Sequence, residues 1–305
     1  MTTDAPAADS TALSIPASAA DVTTVLVVGA GQMGSGIAQV FAQSGRDVLL
    51  ADVASAQLER AKATIAKSAG RMHEKGRLTD EQFAGATERI RYVDGLDGED
   101  LTGVQLAIEA ATEQLETKLS IFAGLDRRMP PNALLATNTS SISITTIAAA
   151  TSRPQHVVGM HFMNPVPVLE LVEVISGLET TEAATQLVME LTADLGKTPV
   201  HATDAPGFLA NRILLPMINE AFFALEAGIG TAEGIDTVMR LGMAHPMGPL
   251  ALADLIGLDT CLAICEVLHR DLGEDKYRPA PLLRRYVAAG RLGRKSGTGV
   301  FEYDR

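Results

Sequence analysis

Between Val22 and Asp204 the apolar residues fall into short β-branched runs separated by polar stretches of helical period. VTTVLVV, a helix from about Gly34 to Ser44, and DVLLADV make a βαβ unit, which implies a parallel sheet. Further strands are predicted over 90–93, 104–110, 133–138, 157–162, 169–175 and 198–202. Residues 55–85 are rich in Ala, Lys and Glu and too long for one crossover helix, so they predict a helical pair projecting from the sheet. Beyond DAPGFLANR the strand signal disappears, and long helical stretches run on with turns at 228–230, 245–249 and 277–281. The chain thus reads as a sheet domain over 22–204 and an all-helical domain over 205–305. The Ala/Ser/Thr/Pro-rich residues 1–21 are expected to be a disordered tail.

The turn after the first strand reads VVGAGQMGSG, with Gly29, Gly31 and Gly34 in G-x-G-x-x-G and Gln32 and Met33 between the last two. The first glycine permits a tight turn, the second lets backbone approach a pyrophosphate, and the third packs helix on strand. The helix N-terminus then offers amides to the phosphates. The loop alone is a weak signal. It gains strength from Asp52, eighteen residues after Gly34 at the end of the second strand, where a carboxylate accepts hydrogen bonds from an adenosine ribose. The same charge repels a 2′-phosphate, and no arginine follows it, so NAD is favoured over NADP. The fold class is therefore α/β, a Rossmann-type, mostly parallel sheet domain followed by a C-terminal all-helical domain. A ligand-free glycine turn and a flavin site are the competing readings of the loop.

Ligands of open parallel sheets bind outside the carboxyl ends of the strands. Polar residues collect there: Asp52, Glu113 with Lys118, Asn138 through Ser141, and His161 with Asn164. His161 closes the apolar run VVGMHF, and Glu173 lies among aliphatic residues in LELVEVI. A carboxylate inside such a strand loses hydration and needs a partner. Histidine is the natural partner and the usual proton carrier near neutral pH. A structural ion pair between them is the competing reading, as are an N-cap role for Ser140 and an exposed pair of little energetic weight between Glu113 and Lys118.

The 305 residues carry a net charge of −12, which argues against nonspecific attraction to nucleic acid or anionic membrane and toward small molecules or protein as partners. No apolar run approaches the roughly 20 residues of a membrane span, and a cytoplasmic chain is expected. Cys261 and Cys265 lack further ligands for a zinc site and read as reduced core thiols. His73, His156, His201 and His269 have no acidic partner at a telling spacing, and His245 opens a turn. The stretch from Lys276 to Phe301 contains no acid and several cations. It reads as a solvated face, with coenzyme A phosphates or an acidic partner subunit as alternatives.

GAGQMGSGIA, IEAATEQLETK, NTSSISIT, GMHFMNPVPVLELVEV, APGFLANRIL, AHPMGPL and LGRKSGTGVFEY occur in order from about Val22 to the C-terminus. Together they resemble the short-chain L-3-hydroxyacyl-CoA dehydrogenases, and within them the bacterial 3-hydroxybutyryl-CoA dehydrogenases. The resemblance implies reversible, NAD-dependent oxidation of an (S)-3-hydroxyacyl-CoA thioester, with dehydrogenation of free 3-hydroxy acids and a catalytically silent NAD-binding relative as alternatives. It implies His161 as base, Glu173 as its partner, and Ser140 and Asn211 as substrate contacts, with Asn164 beside them. Asp52, Glu113, Lys118 and Asn138 would meet NAD beside the glycine loop, and Ser68 and Lys75 would meet coenzyme A. A homodimer through the helical domain is also implied. Thr137, Met163 and Glu170 depart from the residues common in that family.

Overall fold

A computed structural model describes residues 14–304. The chain divides into two compact units, one ending at Asp204 and one beginning at Ala205.

The first unit is built on β1 (Thr24–Val28), β2 (Asp47–Asp52), β3 (Ile90–Asp94), β4 (Leu106–Glu109), β5 (Leu134–Thr137), β6 (Val157–Phe162), β7 (Leu171–Ser176) and β8 (Thr198–Thr203). They form one sheet in the order β3-β2-β1-β4-β5-β6-β7-β8. All neighbours are parallel except β6 and β7, which run antiparallel. The chain leaves β1 toward β2 and β3, then returns to the other side of β1 with β4. That reversal is the topological switch point at which such sheets bind ligands.

The central strands β4, β5 and β6 are buried along their whole length, as a parallel sheet covered on both faces demands. Polar residues in such strands therefore stand out, and here they are Glu109, Thr137 and His161, each at or next to a carboxyl end. The crossovers are α1 (Gln32–Gln43), the pair α2 (Ser55–Glu74) and α3 (Asp80–Glu88), α4 (Leu115–Arg128), α5 (Ile144–Ala148) and, between the last two strands, α6 (Glu182–Asp194).

The pair α2 and α3 projects less than its polar composition suggests. Leu58, Ala61 and Ile65 of α2 join the sheet core, α3 lies against α1, and only Ala69, Met72, Leu78, Phe83 and Ala86 build a small cluster of their own. Part of the expected disordered tail, residues 1–13, lies outside the described residues. Residues 14–21 correct that expectation. Ile15 and Ala19 pack against the sheet core, Ser18 and Asp21 close a capping box over a short 3₁₀ turn, and Arg46 donates to the carbonyls of Ala19 and Val22.

The second unit contains α7 (Ala210–Glu226), α8 (Ala232–Thr237), α9 (Pro249–Ile256), α10 (Leu258–Leu272) and α11 (Pro281–Ala288) around a core that includes Leu215, Phe222, Leu250, Cys261 and Leu283. Among its described residues there is no strand, only isolated bridges near the C-terminus. Its buried carboxylates staple backbone. Asp236 accepts from the amides of Leu250 and Ala251 at the start of α9, and Asp254 accepts from the amides of Val300 and Phe301 and the hydroxyl of Tyr303. Cys261 and Cys265 are free and buried, and burial pushes their thiols up to about 12. The basic C-terminal stretch meets acids of its own unit: Arg284 pairs with Glu266, Arg285 with Glu226, Lys295 with Asp259 and Arg291 with Glu302.

Candidate active site

Antiparallel pairing of β6 with β7 sets His161 directly opposite Glu173. The Nδ1–H of His161 donates to Glu173 Oε2 at 2.7 Å, and the two residues are 8 % and 1 % exposed. A carboxylate so buried is tenable because a charge-assisted hydrogen bond replaces its lost water. That bond holds the ring in one orientation through Nδ1. The sequence expectation of a partnered histidine and carboxylate thus corresponds to one short, buried contact between adjacent strands.

Two further bonds steady the end of β6. Asn138, just past β5, accepts the amide of Phe162 on its side-chain oxygen at 2.9 Å. Asn164, two residues beyond β6, accepts from Gln32 at 3.0 Å. Gln32, inside the glycine motif, opens α1, so the loop and the turn following His161 are joined by side chains.

The glycine loop fits a dinucleotide by its own geometry. Gly29 has φ +104°, and a Cβ there would fall 2.7 Å from the carbonyl oxygen of Ala110; a Cβ on Gly34 would fall 1.7 Å from that of Gly29. A Cβ on Gly31 would meet nothing within 4 Å, so this position faces open space. Asp52 ends β2 with Oδ2 accepting from the amide of Ala30 at 2.7 Å and Oδ1 from that of Ala54 at 2.9 Å. Those bonds aim a partly exposed carboxylate beside the loop and leave it lone pairs for a ribose hydroxyl.

Glu113 and Lys118 do not form the exposed pair considered above. Lys118 is 1 % exposed, and its ammonium donates to both oxygens of Glu109, at 2.8 and 2.9 Å, while lying 3.4 Å from Glu113. Glu113 Oε1 accepts from the hydroxyl of Thr139 and from the amides and hydroxyls of Ser140 and Ser141. Burial works to raise the Glu113 carboxyl, but Lys118 and the bonds from Thr139 and Ser140 outweigh it and hold the group below the ordinary range. Ser140 is not the cap of α5. Ser143 is, accepting from the amide of Thr146 at 3.2 Å. Glu109 escapes the sequence reading as a site residue, although its signal is the one that singles out Glu173: a carboxylate inside an apolar strand.

The remaining assignments fall on other elements. Ser68 lies in the C-terminal half of α2, and Lys75 is the residue that caps its end. Asn211 is a buried residue in the first turn of α7, in the second unit. Two histidines do have acidic partners, contrary to the sequence reading. His73 lies 2.8 Å from Asp80, and His269 lies 3.7 Å from Asp275. The spacing hides them because helix ends bring the partners together, and both are exposed pairs that contribute little.

Residues 24–205 match the family described as 3-hydroxyacyl-CoA dehydrogenase, NAD binding domain, and residues 207–303 match 3-hydroxyacyl-CoA dehydrogenase, C-terminal domain. A probable 3-hydroxybutyryl-CoA dehydrogenase of Deinococcus radiodurans is 53 % identical over 279 residues, 91 % of this chain and 99 % of the relative. One from Bacillus subtilis is 52 % identical over 288 residues, 93 % and 98 % of the two chains. The crystal structure of (S)-3-hydroxybutyryl-CoA dehydrogenase from Ralstonia eutropha superposes with a TM-score of 0.89 at 48 % identity, covering 93 % of this chain and 100 % of that one. With both halves matched in order and relatives of this identity along nearly the whole chain, the protein belongs to the 3-hydroxyacyl-CoA dehydrogenase family.

Proposed function

We propose that the chain catalyses the reversible, NAD-dependent oxidation of (S)-3-hydroxybutyryl-CoA to acetoacetyl-CoA, with His161 as the base. The observation that carries this reading is the buried 2.7 Å bond between His161 and Glu173 at the carboxyl end of β6. Glu173 orients the ring through Nδ1, so Nε2 is presented to take the C3 hydroxyl proton on oxidation and to return it on reduction. Bound NAD supplies the hydride acceptor. Gly29, Gly31, Gly34 and Asp52 seat the dinucleotide, and Glu113 with Asn138 borders it on the β4–β5 side. Ser140 hydrogen-bonds the reacting oxygen or the thioester carbonyl, a role the family resemblance also gives to Asn211. Ser68 on α2 and Lys75 at its C-terminal cap meet the coenzyme A portion. No helix among the described residues is long and apolar enough to cross a membrane, and we place the enzyme in the cytoplasm as a homodimer.

The test is the loss of NADH absorbance on adding acetoacetyl-CoA to the purified protein, run beside unesterified acetoacetate and with NADPH in place of NADH. Turnover of the thioester with NADH supports the reading. Turnover of the free acid alone, or NADH binding with no turnover of either, overturns it.

A further inference from the structure

Glu109 ends β4 fully buried, and every contact it makes turns inward. Its Oε1 accepts from Lys118 at 2.8 Å and from the amide of Ala111 at 2.7 Å; its Oε2 accepts from Lys118 at 2.9 Å and from the hydroxyl of Thr137 at 2.7 Å. A carboxylate enclosed in this way cannot touch substrate or dinucleotide. As a core element it has no evident advantage, because a buried ion pair is often matched or exceeded in stability by apolar residues of the same volume.

What Glu109 does reach is the loop that carries Ser140, and it reaches that loop from two directions. Thr137 donates its hydroxyl to Glu109 and accepts the amide of Thr139 at 3.2 Å, so one end of the loop is fixed directly. The other route runs through Lys118 to Glu113. Glu113 Oε1 gathers the Thr139 hydroxyl at 2.6 Å, the Ser140 amide and hydroxyl at 2.9 and 3.2 Å, and the Ser141 amide and hydroxyl at 3.1 and 3.2 Å. Between these anchors Asn138 ties the loop to the amide of Phe162, the residue after His161. The carboxylate of Glu113 is partly exposed. The buried ammonium gives it one fixed counter-charge, and Glu109 fixes that ammonium.

We propose that Glu109 is a positioning residue for the reaction, holding Lys118 and through it Glu113, so that the Ser140 hydroxyl is set against the strand that carries His161. The proposal rests on the reading of Ser140 and His161 as site residues given above. A misplacement of about 1 Å in such a group lowers turnover by roughly a hundredfold, which is the scale of effect a positioning residue controls.

The experiment is the double variant Glu109→Gln/Lys118→Met, which removes the charge pair while keeping its volume. Its melting temperature is read first, then kcat and KM with acetoacetyl-CoA, then hydrogen exchange of the protein without ligands. The expected result is a folded protein whose kcat falls at least about tenfold with a smaller change in acetoacetyl-CoA KM. Amide exchange should quicken over 137–142 but not along the rest of β4 and β5. A folded double variant with native kcat and native exchange over 137–142 overturns the proposal, and so does exchange that rises evenly across the sheet. If the double variant does not fold, Glu109→Asp, which keeps the charge and shortens its reach, is read by the same criteria. An inactive wild-type protein would defeat the functional reading, and the exchange over 137–142, measured without substrate, would still decide whether Glu109 holds the loop.

Discussion

Both units bury carboxylates, but they satisfy them differently. In the first, Glu109 and Glu173 are met by ionisable side chains, Lys118 and His161. In the second, Asp236 and Asp254 are met chiefly by backbone amides, with Tyr303 adding its hydroxyl to Asp254. The first arrangement leaves a reactive or orienting partner: a fixed imidazole whose second nitrogen can accept a proton, or an ammonium that passes its charge to the next group. The second leaves nothing chemically available, only a helix start and a C-terminal segment held in place. A buried carboxylate is therefore a sign of function only when its partner can itself do chemistry.

The comparison breaks most visibly at His161. His161→Gln should lower kcat by roughly 10²–10⁴, with the fold retained, since glutamine can still donate to Glu173. Steady-state kinetics and a thermal melt check it together, and native turnover would remove His161 from the role. In the other unit the effect should be on stability. Asp254→Ala strands two backbone amides and a tyrosine hydroxyl that are now paired, and each unpaired buried group costs about 1–3 kcal/mol. With three such groups a loss of at least about 3 kcal/mol in denaturant unfolding is expected; an unchanged midpoint would show that the tail finds other acceptors.

The contrast also marks what the sequence can disclose. The strands, the parallel unit around the glycine loop and the change to helices after Asp204 are periodic signals, and hydrophobic period is set locally. The pairing of His161 with Glu173 is legible because both residues break apolar strands, where an unpaired polar group is too costly to persist. Glu113 with Lys118 reads as an exposed pair because spacing along the chain carries no information about depth; only the packing of α4 on the sheet buries the ammonium against Glu109. The basic C-terminal stretch has the same origin. Its lack of acids is local, whereas Glu226, Asp259 and Glu266, which neutralise it, come from helices earlier in the chain.

A smaller effect sharpens the cofactor half of the first unit. Asp52→Asn keeps one oxygen for the amides of Ala30 or Ala54 but removes the charge that accepts from a ribose and repels a 2′-phosphate. A hydrogen bond to a charged group contributes about 1.5 kcal/mol or more, so NAD should bind about tenfold more weakly while NADP gains or holds. Titration with both reduced cofactors reads this directly, and an unchanged ratio would move selectivity away from Asp52.

The smallest effect belongs to the second unit and depends on pH. Burial, together with the hydrogen bond to Asp254, pushes the Tyr303 phenol up to about 12. An unfolded tyrosine ionises near its ordinary value of about 10. The raised group therefore contributes stability that is complete below about pH 10 and is lost as the pH climbs toward 12, because the unfolded chain releases its proton first. Tyr303→Phe removes the hydroxyl and with it this dependence. At neutral pH the variant should lose about 1 kcal/mol, the usual net worth of one hydrogen bond. Between pH 10 and 12 the gap between variant and wild type should close, since the wild type is then giving up the same contact. Denaturant midpoints measured across that range decide it, and two curves that stay parallel would show that Asp254 holds the tail through the amides of Val300 and Phe301 alone.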